Sequence, residues 1–422
     1  MKNQKKIISK VLHGLKRLNL ARLQGLTLKN QGTLILLLTT FIIIGFMLGK
    51  NEGLLRQVIT NPLSLFARSK DTVSAKELKK QLAQKNFTFI NVHTPYEGEI
   101  EKTDSFIAYD QIVAQSAGLP KDKNAPIILY CKSGRMSTEA LLTVRKLGYT
   151  NVRHLEGGMD AWQKTGEKLL DLSLVEKEVL PEGGVELPVA WGDIGPRLIA
   201  LGVIDEAKFK QAVKLTPEQE EILTKGSDKK IVIDATNGQF IVDMLWALGL
   251  AQKSIVYEEG PMGKEYKKEA GNFASTGGWS LARGNAMEHL NRYDLIKLTP
   301  EQQKKVGEIA QNVYRPCCGN STWFPDCNHG MAALAAIELM VSAGIDEKTI
   351  YRNVLALNSY WFSDTYVTIA TLFARDGIAW KDVDAKRVLG REYSSAQGAQ
   401  AIMKKVGPLP YKPQQQGGGC GA

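Results

Sequence analysis

Apolar positions recur at helical spacing from the start of the chain. Ile7, Ile8, Val11, Leu12, Leu15 and Leu18 fall on one side, with Lys10, Lys16, Arg17 and Arg22 between them. That pattern fits a basic amphipathic helix lying on an anionic membrane surface, or a disordered basic tail. Residues 32–49, GTLILLLTTFIIIGFMLG, then hold no charge at all. At about 1.5 Å per residue they would span roughly 27 Å, near the lower limit for crossing a bilayer. A single transmembrane helix is expected there. A cleaved signal peptide fits less well, because Lys50-Asn51-Glu52 follows in place of a small-x-small site. The basic flank puts the N-terminus in the cytoplasm and everything after residue 50 outside.

Residues 50–71 read as a linker broken at Pro62. Over residues 72–170 short apolar runs alternate with helical patterns, the signature of a mostly parallel sheet with helices on both faces. Ser74 is the N-cap expected for the first of these helices, with Glu77 its capping-box partner. From 171 to 195 Pro and Gly crowd the sequence and periodicity fades, so a boundary is placed there. Residues 171–413 are expected to form a mostly α-helical domain, with one short strand at Ile231–Ile233. Its helices are expected at 330–343, 346–362 and 364–376. Thr216-Pro217-Glu218 and Thr299-Pro300-Glu301 are two near-identical helix starts, read as shared capping chemistry and not as a repeat. Residues 414–422 are low-complexity and expected to be disordered.

Charge narrows the function classes. The net charge is +10, but residues 1–31 alone hold eight Lys/Arg and no acid. The remainder is near neutral, so no nucleic-acid footprint is implied. The five cysteines, Cys131, Cys317, Cys318, Cys327 and Cys420, are too few and too scattered for a disulfide-rich scaffold.

The first candidate for chemistry lies in PIILYCKSGRMSTEALLTVRKLG, residues 126–148. Ile127 to Tyr130 read as a strand running into Cys131. Lys132, Ser133, Gly134, Arg135, Met136 and Ser137 read as a polar loop. A helix follows, with Leu141, Leu142 and Val144 on one side and Gly148 as its stop. A sulfur delivered to a helix start meets converging N–H groups and the positive end of the dipole, with Lys132 and Arg135 nearby. That environment suits a nucleophilic thiolate or a bound anion. A cysteine phosphatase would place an Arg six residues after the Cys, where this chain has Ser137.

The loop CKSGRMS resembles the active-site loop of single-domain rhodaneses. HLEGGMDAWQKTG at 154–166 resembles that family's closing turn and helix, and FTFINVHTPYEGEI at 87–100 its early strand and loop. The resemblance covers about residues 72–170, with three motifs in the right order. It implies a rhodanese-like α/β fold and a sulfurtransferase in which Cys131 carries sulfur as a persulfide. Lys132, Ser133, Gly134, Arg135, Met136 and Ser137 would bind the donor. No cofactor is implied; the partners would be a small sulfur donor or a protein persulfide, and a thiol acceptor. Where many relatives carry Asp-Val-Arg, this chain has Asn91-Val92-His93, a departure at the usual salt-bridge support that leaves the cysteine loop itself untouched.

The second candidate is YRPCCGNSTWFPDCNHGM, residues 314–331. Cys317, Cys318, Cys327 and His329 could complete a soft-metal site for zinc or copper(I), although adjacent cysteines strain a tetrahedron. A disulfide from Cys327 to Cys317 or Cys318, and a redox or persulfide-accepting thiol pair, are also open to these residues. The run CCGNSTWFPDCNHGMA resembles small extracytoplasmic Cys-rich helical modules that handle thiols or metals. His289 sits at a spacing from which it could approach the cluster, though a lone surface histidine is the commoner case. Trp279, Trp323, Trp361 and Trp380 read as core or interface residues. Two functions from different classes stand side by side: a membrane-anchored extracytoplasmic sulfurtransferase, and a soft-metal or thiol-redox accessory protein whose α/β domain docks or senses.

Overall fold

A computed structural model describes residues 71–410. The basic helix expected at 1–24, the membrane helix at 32–49, most of the linker, and the tail with Cys420 lie outside the described residues. Among the described residues no helix is long and apolar enough to cross a membrane. Two compact units are present. One holds residues 71–94 and 107–167, the other residues 95–106 and 168–410.

In the first unit four parallel strands run β1 (Thr72–Val73), β2 (Thr88–Asn91), β3 (Ile127–Tyr130) and β4 (Val152–Leu155), paired in the order β1-β4-β3-β2. The register sets Ile127 beside both Thr88 and Val152. All four residues of β3 are buried, as expected for a central parallel strand. Alternation sends Ile127, Leu129 and Cys131 to one face. There they share a core with Ala140, Leu141 and Val144 of helix α2 (Arg135–Lys146). Tyr130 meets Phe89 on the other, ring centroids 4.6 Å apart. Helix α1 (Ala75–Ala83) packs on α3 (Gly158–Gln163). Ser74 Oγ accepts the Glu77 N–H, but the expected reciprocal half of that capping box is missing, because Glu77 pairs with Arg153 at 3.2 Å.

Two details of the cysteine region differ from expectation. Helix α2 already begins at Arg135, so Arg135, Met136 and Ser137 form its first turn. Leu142 is 41% exposed and Ala140 takes its place in the core, because i and i+1 on a helix diverge by about 100°.

The second unit is mainly helical, as expected. Helix Gly238–Ala251 packs against Asn328–Ser342, and both are buried over most of their length. Helices Glu347–Trp361 and Ser363–Arg375 follow within a residue or two of the expected spans. Thr216 and Thr299 each close a full capping box, with Gln219 and Gln302 as reciprocal partners. The stretch 171–195 corrects the expectation. It holds helix Leu172–Val179 and strand Val185–Gly192, which pairs antiparallel with Ser227–Ile233. Leu187, Val189 and Trp191 alternate inward along that strand. Segment 95–106 belongs to this unit. Glu99 and Leu170 exchange backbone hydrogen bonds, and the Glu99 carboxylate meets Arg375 Nε at 2.7 Å with both side chains almost fully buried.

Candidate functional site

Cys131 stands at the carboxyl end of β3, immediately before the turn into α2. Gly134 closes that turn at φ +97°, a conformation side chains resist, and serves as the N-cap of α2. The Gly134 N–H donates to Cys131 Sγ at 3.1 Å and the Ser137 N–H at 3.4 Å. Two of the otherwise unpaired amides at the start of a 12-residue helix thus converge on one sulfur. Ser137 Oγ lies 3.6 Å from the sulfur, donates to the Gly134 carbonyl and lies 3.2 Å from His154 Nδ1. Burial lowers the His154 pKa, which favours the neutral imidazole.

The loop is held from behind. At Gly157-Gly158 the chain takes two left-handed residues in succession. This lets the Met159 N–H reach the Cys131 carbonyl at 2.9 Å and the Asp160 N–H reach the Lys132 carbonyl at 3.0 Å. A Cβ on Gly158 would sit 2.1 Å from the Cys131 carbonyl oxygen. The Gly-Gly of the closing motif is therefore a steric requirement of the cysteine loop. Asn91 Oδ1 accepts the His93 N–H, and the unit's bidentate ion pair is instead Arg145 with Asp71, at 2.9 and 2.7 Å.

Of the six residues expected around the sulfur, Gly134 and Ser137 touch it. Lys132, Ser133 and Arg135 are exposed, and Met136 is half-buried. Arg135 pairs with Glu139 at 2.8 Å along the helix surface. Cys131 itself is buried, 1% exposed, while Lys132, Ser133 and Arg135 lie at the surface.

The second cluster forms in the other unit. The sulfurs of Cys317, Cys318 and Cys327 all lie within 4.8 Å of one another and could hold a metal. All three are free thiols, so of the three alternatives the disulfide is not formed, and each residue is partly exposed. Cys327 is the N-cap of the 15-residue helix Asn328–Ser342, and its sulfur accepts the Gly330 N–H at 3.4 Å. Arg315, fully buried, donates from Nε to the same sulfur at 3.0 Å. The guanidinium also meets Asp326 at 2.6 Å and the carbonyls of Asn320 and Phe324. Hydrogen bonds from Cys317 and Cys318, helped by the Arg315 charge, hold the Cys327 thiol well below its ordinary range, and Cys317 is pushed up. Sequence reasoning missed Arg315, although it stands only two residues before Cys317.

His329 does not join the sulfurs. Its ring lies against Phe362 and Trp361, centroids 4.5 and 5.6 Å away, and burial pushes its pKa down to about 4. It follows Cys327 by two positions, and residues two apart on a helix do not share a face. His289 is buried, with Tyr293 OH and the Arg283 carbonyl each 3.1 Å from its ring nitrogens, away from the thiols. Trp279 and Trp380 are core residues, with Trp323 and Trp361 packed against that core.

The first unit is thus a parallel α/β domain that sets one cysteine in a cradle of loop amides. Residues 74–165 match the family model for the rhodanese-like domain, and they form such a domain. The region is similar to a probable adenylyltransferase/sulfurtransferase, MoeZ, of Mycobacterium tuberculosis, 36% identical over 98 residues, 22% of this chain and 24% of that one. It is also similar to a tRNA uridine(34) hydroxylase of Erwinia tasmaniensis, 29% identical over 93 residues, 21% of this chain and 27% of that one. The chain thus spans about a quarter of the length of each. Among solved structures, a rhodanese-like domain protein from Staphylococcus aureus is 26% identical, with 24% of this chain and 99% of that chain covered and a TM-score of 0.21.

Proposed function

We propose that the chain is a membrane-anchored, extracytoplasmic sulfurtransferase that carries sulfane sulfur on Cys131. The observation that supports this most directly is the pair of amides, Gly134 and Ser137, aimed at one sulfur at a helix start. Such donors stabilise a thiolate and the charge that develops as it reacts. The thiolate attacks the outer sulfur of thiosulfate or of a persulfide. The S–S bond of the donor breaks, sulfite or the donor thiolate leaves, and Cys131 holds the sulfur as a persulfide. A thiol acceptor then attacks that outer sulfur and releases the Cys131 thiolate. Lys132 and Arg135 supply positive charge at the rim where an anionic donor arrives. No cofactor is needed for these steps. The anchor rests on the uncharged run 32–49 and its basic flank, and is checked by alkaline extraction of membranes.

Cys131→Ser is expected to abolish sulfur transfer from thiosulfate to cyanide, and to abolish the added sulfur atom seen on this cysteine by mass spectrometry. Full activity in that variant would refute the assignment. A second reading draws on the three clustered sulfurs, which would hold zinc or copper(I) while the rhodanese-like domain docks or senses. Elemental analysis of the purified chain, repeated on Cys327→Ala, tests it.

A further inference from the structure

The cluster around Cys327 is built for one sulfur more than for three. Cys327 Sγ alone receives the Arg315 Nε–H and the Gly330 N–H, at 3.0 and 3.4 Å. Arg315 stays charged at any ordinary pH, and it is enclosed, with no surface open to solvent. Gly330 makes room for it: a Cβ there would lie 2.4 Å from the guanidinium carbon. Cys318 Sγ has a far weaker setting, 3.8 Å from the Asn320 carbonyl. Cys317 Sγ sits 3.4 Å from Cys327 Sγ. That is closer than the edge of about 3.8 Å between sulfurs in a tetrahedron built on zinc–sulfur bonds of roughly 2.3 Å. It is the approach of two thiols placed to join. Both residues are partly exposed.

We propose that Cys327 and Cys317 are a thiol–disulfide exchange pair, with Cys327 the attacking sulfur, Cys317 the resolving one, and disulfides as the substrate class. In the first step the Cys327 thiolate attacks one sulfur of a disulfide. The substrate S–S bond breaks, a mixed disulfide forms on Cys327, and the leaving thiolate takes a proton from water. In the second step Cys317 gives up its proton and attacks Cys327 Sγ. The mixed disulfide breaks, the second substrate thiolate leaves and is protonated, and a Cys317–Cys327 disulfide remains. The substrate is reduced by two electrons and the pair is oxidised by two. An external dithiol returns the pair to its starting state. Arg315 acts through the sulfur and is a positioning residue.

The test uses the full chain with Cys131 and Cys420 replaced by Ser, and the aromatic disulfide 5,5′-dithiobis(2-nitrobenzoate) as probe. Two equivalents of thiolate are expected from the pair, ahead of a third from the free Cys318, with a Cys317–Cys327 crosslink in non-reducing peptide maps. Cys317→Ser should release one equivalent before Cys318 reacts, with the adduct on Cys327. Cys327→Ser should slow the first release by about tenfold or more, the consequence of losing the favoured thiolate. Should a variant fold poorly, the order of labelling in the parent chain decides: an early adduct on Cys327 supports the proposal. A first adduct on Cys317 or Cys318, a crosslink between Cys318 and Cys327, or reaction only after a chelator removes stoichiometric metal would overturn it.

Discussion

Gly158 offers a test of the loop support that separates geometry from general damage. In Gly158→Ala the new Cβ would stand 2.1 Å from the Cys131 carbonyl oxygen and 2.5 Å from that of Lys132. Both are backbone atoms and cannot swing aside, so the start of α3 and the cysteine loop must separate. Separation breaks the Met159 and Asp160 hydrogen bonds to those carbonyls, each with a net value of about 1 kcal/mol. The left-handed backbone adds about 1–2 kcal/mol of strain for any side chain. The expected cost is therefore about 3–4 kcal/mol. Gly166 is the matched control: its φ is +89°, yet an added Cβ meets nothing within 4 Å. Gly166→Ala should cost only the strain, about 1 kcal/mol.

The assay is urea unfolding of the full chain, read alongside thiosulfate-to-cyanide transfer. Gly158→Ala should lose both stability and transfer. Gly166→Ala should lose a little stability and keep its rate. Equal losses of stability and rate in the two variants would show that the Gly158 contact does not shape the cysteine loop.

Two further outcomes concern the helical unit. Burial holds the Glu338 carboxyl up at about 8, with Ser254 opposing. In the unfolded chain it ionises near 4.3, so the unfolded state alone gains charge between those values. Stability from this group is intact below pH 4, falls as pH rises toward 8, and levels off above. Glu338→Gln should therefore flatten that fall and gain on the order of 4 kcal/mol at pH 8, measured by denaturant midpoints from pH 5 to 9; an unchanged pH profile would refute the buried acid. Glu99→Ala leaves the Arg375 guanidinium buried without its carboxylate partner. A loss of about 3–5 kcal/mol is expected, and a loss below 1 kcal/mol in calorimetry would mean that segment 95–106 is held by other contacts.

What could be read from the sequence was local, and what could not was made by distance. The Cys131 loop was legible because strand, cysteine, glycine and helix follow one another within a few residues, and the amides that reach the sulfur belong to that same turn. The support at Gly158 lies more than twenty residues onward, and nothing in the glycine pair says which carbonyls it approaches. Strand Val185–Gly192 was hidden differently. Its Leu187, Val189 and Trp191 alternation is sound, but Pro181, Gly183, Gly184 and Pro188 gave the stretch the texture of a loop. At the second cluster, the structure gathers three of the four spaced residues and sets His329 apart, since ligand counting along the chain ignores where a helix begins. Arg315 is the deeper case. A charged residue in a sequence is read as solvated by default, and only burial turns it into a fixed positive charge against one particular sulfur. The chemistry of that site depends on this conversion, because three equivalent thiols would suit a cation while one favoured thiolate with a neighbour in contact suits exchange.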